Sequence, residues 1–135
     1  MEPIRVDAND AVPPSRQIVE AVMDRIASGQ TGPGERLPSV RELAVAAMVN
    51  PNTVGKAYRD LGFLGVVASR SGSGVFVTDD APEIARRERR GATLDAFRRA
   101  ASLALRAGHE ADALLAELEA LSGGIRAALT GEERR

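Results

Sequence analysis

The stretch Glu35–Val77 reads ERLPSVRELAVAAMVNPNTVGKAYRDLGFLGVVASRSGSGVFV. Two short helical patterns stand close together in it, and a hairpin pattern with a Gly/Ser tip follows. Ser39 and Glu42 have capping-box spacing, in which each side chain answers the other residue's free backbone N–H. Behind that cap, Val40, Leu43, Ala44 and Ala47 recur at helical spacing and give one apolar face. A second start comes at Asn50-Pro51, a favoured N-cap residue with proline in the first helical position. Its apolar stripe is Val54, Ala57, Tyr58 and Leu61, which leaves Asn52, Thr53, Lys56 and Arg59 to face outward. Only a few residues around Met48 and Val49 separate the two patterns, enough for a tight turn. That is helix-turn-helix spacing.

Beyond Gly62 and Gly65 the period changes from helical to extended. Residues 66–70 and 75–78 read as two strands, joined by Ser71-Gly72-Ser73-Gly74. Glycines between β-branched runs mark a hairpin. A helix-turn-helix followed by a β-hairpin predicts a winged helix, so the expected fold class is mainly α with a small β wing.

These pieces, in this order, resemble the DNA-binding domain of the GntR family of bacterial transcription regulators. The matching motifs are Leu37-Pro38-Ser39-Val40-Arg41-Glu42-Leu43-Ala44, Asn50-Pro51-Asn52-Thr53-Val54, Lys56-Ala57-Tyr58-Arg59-Asp60-Leu61 and Gly72-Ser73-Gly74-Val75-Phe76-Val77. Asn-Pro-Asn-Thr ahead of Lys-Ala-Tyr looks most like the YtrA-like subfamily. The resemblance is close over residues 13–78 and extends to the rest of the chain by layout. It implies a sequence-specific transcription regulator with double-stranded DNA as partner, most simply a homodimeric repressor on a short inverted-repeat operator.

The resemblance also distributes roles. Asn52 and Thr53, near the N-terminus of the recognition helix, are expected at base edges or adjacent phosphates in the major groove. Lys56 and Arg59 are expected on phosphates, and Arg41, by its motif position, on a phosphate or a guanine. Ser39 caps its helix and can donate to a phosphate; Arg36 and Asn50 complete that side. Arg70, Ser71 and Gly72 belong to the wing, where glycine permits close backbone approach. Gly55 leaves the centre of the recognition helix without a side chain.

The chain has 135 residues, which suits one compact domain plus an appendage, or two very small domains. It contains no cysteine, so neither a disulfide framework nor thiol chemistry is available. No apolar run approaches membrane-spanning length, and Met1-Glu2-Pro3 does not open a basic-then-hydrophobic leader, so a cytoplasmic protein is expected. Three Phe and one Tyr leave the core to aliphatic residues and alanine. The formal net charge is −1, without the strong basic excess that usually marks a DNA-binding domain. Residues 1–80 carry 8 basic and 10 acidic side chains, and residues 81–135 carry 10 and 9. Binding then depends on placing Arg36, Arg41, Lys56, Arg59 and Arg70 on one face, with dimerisation doubling the contacts.

Ahead of the central stretch, Ile4-Arg5-Val6 alternates like a short strand. Pro13-Pro14-Ser15 starts a helix with Ile18, Val19, Val22, Met23 and Ile26 inward and Gly29 as its stop. Past Thr78, Asp79-Asp80-Ala81-Pro82 marks a boundary, giving expected domains at 1–78 and 79–128 and a disordered tail at 129–135. One long helix is predicted over 85–107, with Leu94, Phe97, Ala101, Ala104 and Leu105 on one face, Gly91 as its weak point and Thr93 as a restart. Gly108-His109 breaks it. A last helix carries Ala111, Leu114, Leu118, Leu121, Ile125 and Ala128 at spacings of three and four, and Gly123-Gly124 is expected to end or kink it. A helical hairpin with an apolar stripe on each arm needs a cover, and a second copy is the economical one. Dimerisation is therefore assigned to Leu94, Phe97, Ala101, Leu105, Leu114, Leu118 and Leu121. Whether a small-molecule effector sits between such arms is left open.

Other features read plainly. Arg86-Arg87-Glu88-Arg89-Arg90 is a mixed charge run of the kind that forms a solvated face. His109, the only histidine, falls in a loop with no cysteine to join it in a metal site. The Ser71–Gly74 tip joins two strands and opens no helix, so it lacks the setting of a phosphate-binding loop. Glu117 and Glu119 lie on different faces of their helix and cannot act as a pair. No nucleophile–base constellation exists, so no enzyme, cofactor or metal is expected. The alternative to a DNA-binding regulator is a winged-helix adaptor contacting proteins, which would expose apolar residues on the recognition helix.

Overall fold

Proline suits the first position of a helix because its missing N–H falls where no intrahelical bond is made. In the computed structural model, which describes residues 1–130, α1 accordingly runs Pro14–Ala27, α2 Val40–Ala47 and α3 Pro51–Leu64. An antiparallel pair follows, β1 (Val67–Arg70) and β2 (Gly74–Val77), and then α4 (Ala81–Arg106) and α5 (Ala111–Thr130). The fold is mainly α with a small β wing. No described helix is long and apolar enough to cross a membrane.

The chain divides into two compact units, Met1–Gly91 and the residues from 92 onward. In the first unit α1 and α2 both lie against α3. The apolar faces read from the sequence meet there: Ile18, Val22 and Ile26 from α1, Leu43 and Ala44 from α2, Val54, Ala57 and Leu61 from α3. Burying one such branched side chain stabilises the fold by about 1.5–3 kcal/mol. Val66, Val67 and Val77 close the core from the wing side.

Two connections decide the geometry. Between α2 and α3, Met48 takes the left-handed conformation (φ 56°), and its N–H bonds to the Val45 carbonyl at 3.3 Å. After α3, Gly65 is left-handed at φ 86°, a conformation that glycine adopts without a Cβ penalty. The Thr78 hydroxyl donates to the Gly65 carbonyl at 2.6 Å and ties the end of the wing to that cap.

The segment before α2 also joins the wing. Leu37 N–H donates to Val75 O at 2.8 Å, Val77 N–H donates to Glu35 O at 2.9 Å, and Arg36 bridges Phe76. The residues that lead into the helix-turn-helix thus back the second wing strand, and the two parts form one body.

Several expectations need correction. Ile4-Arg5-Val6 is not a strand: among the described residues the only sheet is β1 with β2, and this segment does not pair with it. Side chains of α1 answer its surroundings instead: the Arg25 guanidinium donates to the carbonyls of Glu2 and Pro3, and Gln17 exchanges bonds of 2.9 and 2.8 Å with the Asp7 backbone. Ile4 is buried in the core. The long helix starts at Ala81 rather than Ala85, and it passes Gly91 and Thr93 without a restart. Pro82 sits in its first turn, where the missing N–H is harmless. Ala81 and Ala85 are fully buried, so the first unit reaches three turns beyond the boundary expected after Thr78.

In the second unit, α4 ends through Gly108 (φ 98°), with His109 N–H bonded to Ala104 O at 3.1 Å. His109 therefore sits in the loop between the helices. Gly123-Gly124 does not end α5, which runs on to Thr130. Residues 129 and 130 belong to that helix, and the rest of the expected tail lies outside the described residues.

Candidate nucleic-acid interface

Helical periodicity turns Val54, Ala57, Tyr58 and Leu61 inward, and the opposite face of α3 carries the polar set. Asn52, Lys56 and Arg59 are exposed, with Thr53 half-buried beside them. Asn50 stands apart from these. Its side-chain oxygen accepts from Asn52 N–H at 2.8 Å, so the group expected at DNA is engaged in capping α3. That bond closes the first turn of α3, which carries Asn52 and Thr53.

Gly55 is not an empty position. An added Cβ would lie 3.7 Å from Arg59 Nη1, because the guanidinium folds back one turn over the bare backbone. The centre of the outward face is thus occupied by an arginine rooted four residues later. Lys56 is 3.7 Å from Asp60 Oδ2, an exposed i,i+4 pair worth at most a few tenths of a kcal/mol, so Lys56 can exchange that partner for an anion. Phe63, at the C-terminal end of the same helix, is 88% exposed.

On α2 the capping box closes: Glu42 N–H donates to Ser39 Oγ at 3.1 Å, and Ser39 N–H donates to Glu42 Oε2 at 3.2 Å. Ser39 Oγ accepts in that bond and keeps its own hydrogen for another acceptor. Arg41 is exposed in the first turn of the helix. Tyr58 fixes α3 against this segment by donating its hydroxyl to Pro38 O at 2.6 Å. Burial pushes the Tyr58 phenol pKa upward, and the nearby Glu42 carboxylate adds to the shift.

The wing brings together residues that the sequence shows only as separate. The register pairs Arg70 with Gly74 and Ala68 with Phe76, so Arg70 and Phe76 are diagonal neighbours on one face. The Arg70 guanidinium stacks 4.5 Å from the Phe76 ring centroid. Arg36 lies across Gly74, with its Nε 2.7 Å from the point a Cβ would occupy. Two guanidinium groups therefore flank the end of the wing next to its turn, while Ser71 and Gly72 (φ 72°) form its exposed tip. Phe76 is the residue that sequence reasoning misses. Its signal is the six-residue spacing to Arg70 across the three-residue connection 71–73.

The remaining assigned residues lie in the second unit. Leu94, Phe97, Leu105, Leu118 and Leu121 are exposed, and Ala101 and Leu114 are half-buried. Within one chain the apolar stripes of that unit stay uncovered.

Comparison with known proteins follows the same division. The model of "Bacterial regulatory proteins, gntR family" matches residues 14–77, from the start of α1 to the end of β2. The chain is 37% identical over 78 residues to the HTH-type transcriptional repressor YtrA of Bacillus subtilis, a match over 58% of this chain and 60% of that protein. It therefore spans well short of the whole length of that relative. Among solved structures, YtrA from Sulfolobus acidocaldarius, a GntR-family transcription factor, is 30% identical, with 75% of this chain and 99% of that one covered at a TM-score of 0.56. A GntR family transcriptional regulator from Listeria monocytogenes superposes over 82% of this chain and 96% of its own at a TM-score of 0.62, with 27% identity. The chain belongs to the gntR family of bacterial regulatory proteins.

Proposed function

We propose that this protein is a homodimeric transcription repressor that binds a short inverted-repeat operator, with α3 in the major groove and the wing beside it. The observation that carries the reading is the outward face of α3, where Asn52, Lys56 and Arg59 are exposed on a helix held from behind by its buried stripe. Under this proposal Ser39 and Arg41 at the start of α2, and Arg36 and Arg70 beside the wing tip, extend that polar and basic surface. In this reading Asn52 and Thr53 read base edges, while Arg41, Lys56 and Arg59 hold phosphates. The repressor sense is supported by the name of the Bacillus subtilis relative, and the dimer by the uncovered apolar stripes on α4 and α5. The site of action is the cytoplasm, where the operator lies.

Selection of bound DNA from a random pool tests this directly. The expected result is a two-fold symmetric sequence, with the protein sedimenting as a dimer. Asn52→Ala should then bring affinity for that sequence toward affinity for unrelated DNA, since one good base contact discriminates by about 1–3 kcal/mol. Recovery of no sequence, or a monomer in sedimentation, overturns the reading.

One observation favours a second reading as a protein-binding adaptor. Val45 and Met48 are 80% and 91% exposed at the end of α2 and in the turn after it. An adaptor would lose its partner on Val45→Ser, whereas a DNA-binding protein would keep its operator affinity.

A further inference from the structure

In the charged run at the start of α4, Arg86, Arg87, Glu88 and Arg90 are exposed as expected, but Arg89 is drawn down onto α1. Arg89 approaches Asp24 of α1 with two nitrogens, Nε at 2.6 Å from Oδ1 and Nη2 at 3.3 Å from Oδ2. Its Nη1 lies 3.8 Å from Glu20 Oε1, one turn earlier on α1. Arg86 Nε donates to Ala27 O at 3.1 Å, the last residue of α1, where helical carbonyls lack an intrahelical partner. The Arg89 side chain is only 16% exposed, so this is a two-pronged, partly desolvated pair rather than a loose surface one.

What lies beneath the pair gives it a purpose. The first turns of α4 rest on the core through Ala81 and Ala85, with Ile84 beside them. Alanines make a smooth contact with few interlocking ridges, so packing alone resists rolling of this helix weakly. Arg86 and Arg89, three residues apart, grip α1 at its end and along its side. Together they fix the rotation and direction of the first turns of α4.

We propose that this clasp is a positioning device, and that Arg89, seconded by Arg86, sets the half-site separation that the protein accepts in DNA. The inference rests on the dimeric DNA-binding reading above. A linked pair of binding units gains avidity only when both reach their half-sites together. Half-site spacing is therefore a property of the connection, and in chain order α4 runs from the first unit into the residues assigned to dimerisation. Arg89 touches no DNA in this role; it acts through the direction of α4.

The test is a spacing series. Wild-type protein, Arg89→Ala and Asp24→Asn are each titrated against the selected operator, against versions with its half-sites moved apart by one to five base pairs, and against a single half-site. Wild type should lose affinity on the order of 100-fold once the second half-site is out of reach. Both variants should show a flattened profile, with losses under about tenfold, and unchanged affinity for the single half-site. Asp24→Asn leaves α4 intact and guards against a folding artefact in Arg89→Ala. A wild-type profile in both variants overturns the proposal. Equal weakening at every spacing and on the single half-site also overturns it, since the clasp would then serve only stability. Failure of wild type to select any DNA overturns the underlying reading instead, and the clasp proposal with it.

Discussion

The guanidinium of Arg59 lies over Gly55, with Nη1 3.7 Å from the point where a Cβ would stand. A contact at that distance is ordinary van der Waals separation, so an alanine fits beneath the arginine. Gly55 also has no left-handed backbone to preserve, unlike Gly65. Gly55→Ala is therefore expected to stabilise the fold by about 0.5–1 kcal/mol through the lower chain entropy of the unfolded state. Thermal denaturation checks this. A lower melting temperature would mean that Arg59 needs the bare glycine surface.

Arg41 and Arg59 are exposed and lie off the apolar stripes, so their truncation should leave the melting transition within about 0.5 kcal/mol of wild type. If Arg41 and Arg59 hold phosphates in both half-sites, either substitution removes two contacts per dimer and should flatten the slope of log affinity against log salt by about 1.8. Operator titrations over a range of salt concentrations read that slope for Arg41→Ala and Arg59→Ala. A variant with unchanged affinity and unchanged slope removes its residue from the interface.

Met48 holds a left-handed backbone in the turn between α2 and α3 while its side chain is 91% exposed. The conformation costs a residue with a Cβ about 1 kcal/mol, and the side chain gains little in return. Met48→Gly should raise stability by up to about 1 kcal/mol, reduced by the greater freedom of glycine in the unfolded chain. Urea unfolding measures it. Clear destabilisation would show that the Met48 side chain makes a contact in solution that its exposure does not reveal.

Tyr58 is the only tyrosine, and the protein has no tryptophan, so its ionisation can be followed without interference. Its phenol pKa is raised from the ordinary value of 10.0 in the folded state, chiefly by burial. The protonated form is the one that folding favours. The stability Tyr58 contributes is thus complete below pH 10 and is lost as pH climbs through the folded-state value. Tyr58→Phe should cost about 1 kcal/mol at neutral pH, because the bond to Pro38 is no longer made. It should also flatten the alkaline limb of the stability profile. If unfolding free energies of wild type and variant run parallel above pH 10, the phenol titrates as if exposed.

The sequence by itself determined the elements made by near neighbours. The capping box of Ser39 and Glu42 joins residues three apart, the Asn50 cap reaches two residues ahead, and the inward stripes repeat every three or four positions. Such signals survive in one dimension because the interacting groups are adjacent in the chain. The family motifs are built from the same local pieces, which is why helix-turn-helix and wing were legible together.

Only the tertiary structure decided what distant charges do. Arg89 and Asp24 are 65 residues apart, and nothing in the run from Arg86 to Arg90 tells a solvated arginine from one that grips α1. The same holds for the first turns of α4. Ala81 and Ala85 suit an exposed helix as well as a buried one, and their burial depends on the core that distant parts of the first unit assemble. Alanine carries little hydrophobic signal of its own, and a long charged side chain takes its role from whatever lies within its reach.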